Sequence, residues 1–144
     1  MAKLKPVAVI RRRLLLLWSQ AVRSRTGYTC EICGLKRGDM VDGKAIKLDA
    51  HHILSKLIKN SPLKYDIRNG VCLCSAHHKF GWDSFHKNPL RTIRWLQTNR
   101  PLDYQYILDN DALRVNLDHR GALEEIESQL RAAEPLDLLK LSEI

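Results

Sequence analysis

The chain has 144 residues and a formal charge of +8, with 28% charged positions, so it is most simply one domain with a modest core. That balance favours a polyanionic partner, nucleic acid first, over a cationic one, although a merely solvated basic surface has the same composition. The longest strongly apolar run, Leu14–Trp18, is far too short for a membrane span; with Arg11-Arg12-Arg13 before it the start mimics a signal peptide, but the run is shorter than an apolar signal core and reads as mature sequence.

The charge is uneven. Residues 1–30 carry seven Lys/Arg and no acid, residues 31–100 thirteen bases against six acids, and residues 101–144 four bases against ten acids. Three segments are expected on this basis: a basic N-terminal helix (1–28), a core holding all the cysteines but with a basic surplus (29–100), and an acidic, helical extension (101–144).

In chain order, Ile10, Leu14, Leu17, Trp18, Ala21 and Val22 fall at helical spacing and predict an amphipathic helix over 9–25. Arg12, Arg13, Arg23 and Arg25 lie largely off its apolar stripe. Thr26-Gly27 ends it, and Tyr28 leads into a turn at Cys30 and Cys33, where Gly34 suits thiolates that accept backbone N–H bonds. Residues 37–43 are turn-like. Ala45–His51 alternates as a strand should, with Asp49 and His51 on one face and His52 on the other. Residues 54–68 read as a basic loop, Val71-Cys72-Leu73 as a short strand, and Ser75 as the start of a helix carrying His77 and His78. Asn88-Pro89 caps a helix with Leu90, Ile93 and Leu96 inward that ends near Pro101. Residues 104–117 stay open between helix and strand, and Leu123, Ile126 and Leu130 mark a helix at 120–133, stopped by Pro135.

Four cysteines in a short chain could form a disulfide framework. Their spacing, Cys30-x-x-Cys33 and Cys72-x-Cys74-x-x-His77, and the company of six histidines point instead to thiolate ligands in a reducing cytoplasm. Cys30, Cys33, Cys74 and His77 are four ligands, which is what tetrahedral Zn²⁺ needs. Cys72 either approaches that zinc or is a small buried hydrophobe. Once zinc is satisfied, His51, His52, Asn69 and His78 remain. Phosphodiester hydrolysis requires residues of these types: an imidazole to deprotonate water near neutral pH, and ligands for a cation that stabilises charge on the phosphate.

Strand, loop, strand and helix, with histidines at the end of the first strand and the start of the helix, resembles the ββα-metal (His-Me finger) fold of the HNH endonucleases. The small phage-type members with a structural zinc are the nearest in pattern. Sixteen residues separate His52 from Asn69, and eight separate Asn69 from His78, compatible with that family's spacing. The resemblance implies an α+β fold: a ββα-metal core, a structural zinc knuckle and flanking α-helices. It implies a DNA-cleaving hydrolase with His52 as general base, and His51 and His78 as ligands of a catalytic Mg²⁺, Mn²⁺ or Ni²⁺. Asn69 would hold the loop and orient the base, and Asp49 could assist the metal. His77 and His78 could exchange roles. His86, in Ser84-Phe85-His86-Lys87-Asn88-Pro89, either approaches the metal or packs at the turn, and His119 belongs to the surface.

Arg11, Arg12, Arg13, Lys56, Lys59 and Lys79 are the expected phosphate contacts on DNA. Such contacts carry no base information, so sequence specificity should be weak. The acidic segment could dock on the basic half of the chain, mediate a homodimer or hold a protein partner, and no membrane partner is expected; a phage-encoded chain would work in the cytoplasm of a bacterial host. A non-catalytic zinc module that binds nucleic acid, or an adaptor, explains the zinc pairs and the charge equally well. It leaves the other histidines without a role.

Overall fold

The apolar stripe forms helix α1 (Val7–Arg25) in the computed structural model, which describes residues 2–144. Ile10, Leu14, Trp18, Ala21 and Val22 are its buried positions. Beyond the cysteine turn, Asp42 and Gly43 both take positive φ, 51° and 74°, as a two-residue hairpin turn requires. They join β1 (Met40–Val41) to β2 (Lys44–Ala45). The turn-like segment is therefore the tip of a small hairpin, and the strand expected from Ala45 begins only at Leu48.

That strand, β3 (Leu48–His52), pairs antiparallel with β4 (Gly70–Cys74), in register from Leu48 opposite Cys74 to His52 opposite Gly70. α1 packs across one face of this hairpin. The approach is close: a Cβ at Gly70 would collide with the side chains of Val22 and Trp18. Only glycine lets the helix seat there. The link between the strands is basic as expected, with Lys56 and Lys59 exposed, but its second half is built. It contains two short helical turns, Pro62–Tyr65 and Ile67–Asn69, whose Leu63, Tyr65 and Asn69 are fully buried.

After β4 a single wide helical turn spans Ala76–Phe80. Asn88 then caps α2 (Pro89–Asn99), its side chain accepting from the Arg91 amide at 3.2 Å. On α2 Leu96 is buried as expected, but Leu90 and Ile93 are exposed and Thr92 is buried instead. Thr92 reaches the Phe85 carbonyl and α3 covers the helix from the side, which turns the buried stripe by one residue. The undecided stretch 104–117 is mostly helix, α3 (Pro101–Asn110), followed by an extended run in which Val115 donates to the Asn60 carbonyl at 2.9 Å. α4 (Arg120–Arg131) and α5 (Leu138–Ser142) close the chain. Two small sheets and several helices make this a mixed α+β fold. No helix among the described residues is long and apolar enough to cross a membrane.

The acidic segment does not stand apart. Leu123 and Ile126 of α4 are fully buried in one cluster with Ile10, Leu14 and Trp18 of α1. Asp118 pairs with Arg11 at 2.9 Å, and Glu127 pairs with Arg13. Two of the three arginines expected to meet phosphate are thus engaged within the chain; only Arg12 of that run stays exposed and unpaired among the described residues. Removing residues 101–144 would strip the cover from α1, so that fragment should be unfolded by circular dichroism. Ile126→Ala alone should cost about 2–5 kcal/mol, read as a lower urea midpoint. A cooperatively folded 1–100 fragment would contradict this packing.

Candidate functional site

Cys30 and Cys33 lie on the turn after α1, Cys74 at the end of β4, and His77 on the wide turn that follows. Their ligand atoms fall within 4.8 Å of one another. The Cys33 and Cys74 sulfurs are 3.8 Å apart, and His77 Nδ1 is 3.3 Å from Cys74 Sγ and 3.8 Å from Cys30 Sγ. Zn–S bonds of about 2.3 Å in a tetrahedron put sulfurs about 3.8 Å apart. All four cysteines are free thiols. The cluster could hold a metal such as zinc.

The knuckle is held to β4 by a two-point clasp. The Glu31 amide donates to the Cys72 carbonyl at 2.9 Å, and the Cys72 amide donates to the Glu31 carboxylate at 2.7 Å. Burial works against ionising Cys30, yet the amides of Cys33, Cys74 and Ile32 hold its thiol below the usual range. Burial, with the neighbouring thiols, pushes Cys74 up to about 12. Collecting three thiolates here costs charge repulsion that a divalent cation offsets. Cys72 is fully buried in the apolar cluster and is no part of the site.

A second group lies on the far side of β3 from α1. His51, His78 and His86 bring one nitrogen each within 4.8 Å of one another. His78 Nδ1 lies 3.0 Å from Asp49 Oδ2. A carboxylate only accepts, so Nδ1 carries the proton and Nε2 is left as a ligand atom, the arrangement that fixes metal-binding imidazoles. That Nε2 is 3.0 Å from His86 Nε2. His86, open between two roles in the sequence, stands here as a third donor, because the Phe85 and His86 amides bond back to the His77 and His78 carbonyls. His77 and His78 fall into different clusters, one with the cysteines and one with the histidines.

His52 points the other way, as strand alternation dictates. Its ring stacks on Trp18 with centroids 3.7 Å apart, and its Nε2 lies 2.9 Å from the Lys64 carbonyl. The carbonyl accepts, so Nε2 is the donor and Nδ1 keeps its lone pair. Because β3 ends here, His52 still lines the same cleft of about 580 Å³ as His51, His78, His86, Lys56 and Lys79. Lys59 lies outside that cleft. Asn69 accepts from the Leu54 amide at 2.6 Å and donates to the Leu54 and Leu63 carbonyls. It clamps the loop as expected, but reaches His52 only through the backbone at Leu63–Lys64. Trp18 and the Lys64 carbonyl do the orienting; the helical pattern marked Trp18 only as core, and nothing local marks a carbonyl. His119 is exposed and caps α4 by accepting from the Ala122 amide.

Burial pushes His51 down to about 3, helped by His78, His86 and His52. Burial likewise pushes His52 down to about 4, with Lys56 and Lys64 adding to it and the Lys64 carbonyl opposing. Both are neutral at pH 7. An unfolded histidine titrates near about 6.5, so the unfolded chain takes up protons first as the pH falls. Stability should therefore be full above that value and drop as pH falls towards the folded values. The urea midpoint should decline from pH 7 to pH 4, less steeply in His52→Gln; a flat profile would contradict these environments.

No protein-family model, curated protein or solved structure matches the chain.

Proposed function

We propose that this chain is a metal-dependent endonuclease of the HNH, ββα-metal kind, hydrolysing DNA phosphodiester bonds, with Cys30, Cys33, Cys74 and His77 holding a structural zinc. The observation that carries this reading is the convergence of His51, His78 and His86 in one cleft with His52, whose acceptor nitrogen is free. A zinc knuckle needs no such second group.

The donors fit a divalent cation: three imidazoles, one backed by Asp49. Such a cation would supply Lewis-acid stabilisation of the phosphate and the departing oxygen. Imidazole ligands favour Ni²⁺ or Zn²⁺ over Mg²⁺, which prefers oxygen. His52 takes the proton of the attacking water on Nδ1. It is unprotonated at neutral pH, and the Lys64 carbonyl, bonded to Nε2–H, stabilises the imidazolium that forms. The same bond and the Trp18 stack keep the ring from turning. Lys56 and Lys79 offer positive charge to the phosphates at the cleft wall.

Supercoiled plasmid incubated with the purified protein and Mg²⁺, Mn²⁺ or Ni²⁺ tests the reading. Nicked or linear product is expected, at lower concentrations of Ni²⁺ than of Mg²⁺. Plasmid bound but uncut with every metal would leave the non-catalytic zinc module.

A further inference from the structure

Two of the most exposed large apolar side chains in the molecule are Phe80 and Trp82, with 74% and 82% of their surface open. They sit on one loop, between His78 and His86. The loop is a rigid prong rather than a loose excursion. Backbone bonds from Phe85 to His77 and from His86 to His78 close its base. The Ser84 hydroxyl donates to the Lys79 carbonyl, and the Lys87 ammonium donates to the Phe80 carbonyl at 3.0 Å. At the tip the Gly81 amide donates to the Ala76 carbonyl at 2.8 Å, and a Cβ on Gly81 would lie 2.6 Å from that oxygen. The backbone is thus held while both rings face solvent.

From this we infer that the Phe80–Trp82 prong is a stacking platform for unpaired nucleobases. Its charge selects the occupant. Lys79 precedes the rings and lines the histidine cleft, Lys87 reaches back to the Phe80 carbonyl, and Asp83 beside Trp82 is paired with Arg91 at 2.7 Å. Cations beside open ring faces suit a single strand, which offers both phosphates and bare base faces. A duplex hides its base faces in the stack, so it meets only the cations. The binding stands on the prong alone; the corollary, that cutting is preferred beside unpaired bases, rests on the nuclease reading.

The test is titration of the full chain with a thymidine oligonucleotide and with a duplex of equal length, without added divalent metal, following tryptophan fluorescence. Trp18 is buried and Trp95 half-buried, so exposed Trp82 should dominate a quench that the single strand produces and the duplex does not. Read by fluorescence anisotropy of a dye-labelled oligonucleotide, Phe80→Ala with Trp82→Ala should weaken single-strand binding about 5- to 150-fold per lost stack, with duplex binding and circular dichroism unchanged. Trp82→Phe should restore most of the affinity. Equal single-strand affinity in wild type and double variant, no quench in wild type, or prong-dependent binding to phosphatidylserine vesicles but not to the oligonucleotide would each overturn the inference. A stacking prong on a protein that cuts with no metal would support this inference and remove the nuclease reading.

Discussion

Cys74→Ser should not yield a folded protein. Cys74 completes the cluster of Cys30, Cys33 and His77 at the point where β4 hands the chain to the turn carrying His77 and His78. Zinc binding in small structural sites is worth an apparent ~10–16 kcal/mol, comparable with or larger than the ~5–15 kcal/mol net stability of a typical domain. The apolar cluster around Val71, Leu73 and Phe85 is small and shares residues with the knuckle, so it cannot replace the metal. The variant should be insoluble or lack a cooperative transition, while wild type should carry about one tightly held zinc per chain by elemental analysis. Cys72→Ala, outside the cluster, should keep its zinc. Recovery of folded, zinc-free Cys74→Ser would remove the structural-zinc assignment.

The second large effect separates proton transfer from metal binding. His52→Ala should lose about 10²–10⁴-fold in cleavage rate, the usual contribution of a general base, while retaining zinc, fold and metal affinity at the histidine triad. His78→Ala and His86→Ala should instead lose that affinity, and the rate with it. Asp49→Asn should weaken metal binding about 10- to 100-fold, as loss of a supporting carboxylate does. Isothermal titration with Mn²⁺ or Ni²⁺, run beside the cleavage assay, distinguishes the two classes. A His52→Ala variant that loses metal along with activity would make His52 a structural residue.

The site was legible in the sequence where its residues are local. The Cys30/Cys33 and Cys74/His77 pairs sit at ligand spacing, and alternation along Leu48–His52 already separated Asp49 and His51 from His52. The α1 stripe and the Asn88-Pro89 cap were equally plain, because each depends on the chain's own period and capping chemistry. What escaped depends on partners distant in sequence. Periodicity in α2 fits a face with Leu90 and Ile93 as well as one with Thr92 and Leu96, and only α3 and Phe85 decide. Leu123 and Ile126 announce a buried helix face without saying that α1 covers it. The pairing of Arg11 with Asp118 then consumes charge that a count leaves free for DNA. His86 was ambiguous because its role needs the backbone of the prong to fold back onto His77 and His78.

The most direct measurement is the single-turnover cleavage rate of DNA by wild type and His52→Ala at saturating Mn²⁺ or Ni²⁺, with metal content and DNA binding determined on the same samples. Metal-dependent cutting by wild type is expected, with a rate at least about 10²-fold lower in the variant, at equal metal occupancy and DNA affinity. Equal rates in the two proteins, or no cutting by wild type with any divalent metal, would contradict the assignment of His52 as general base of a metal-dependent nuclease.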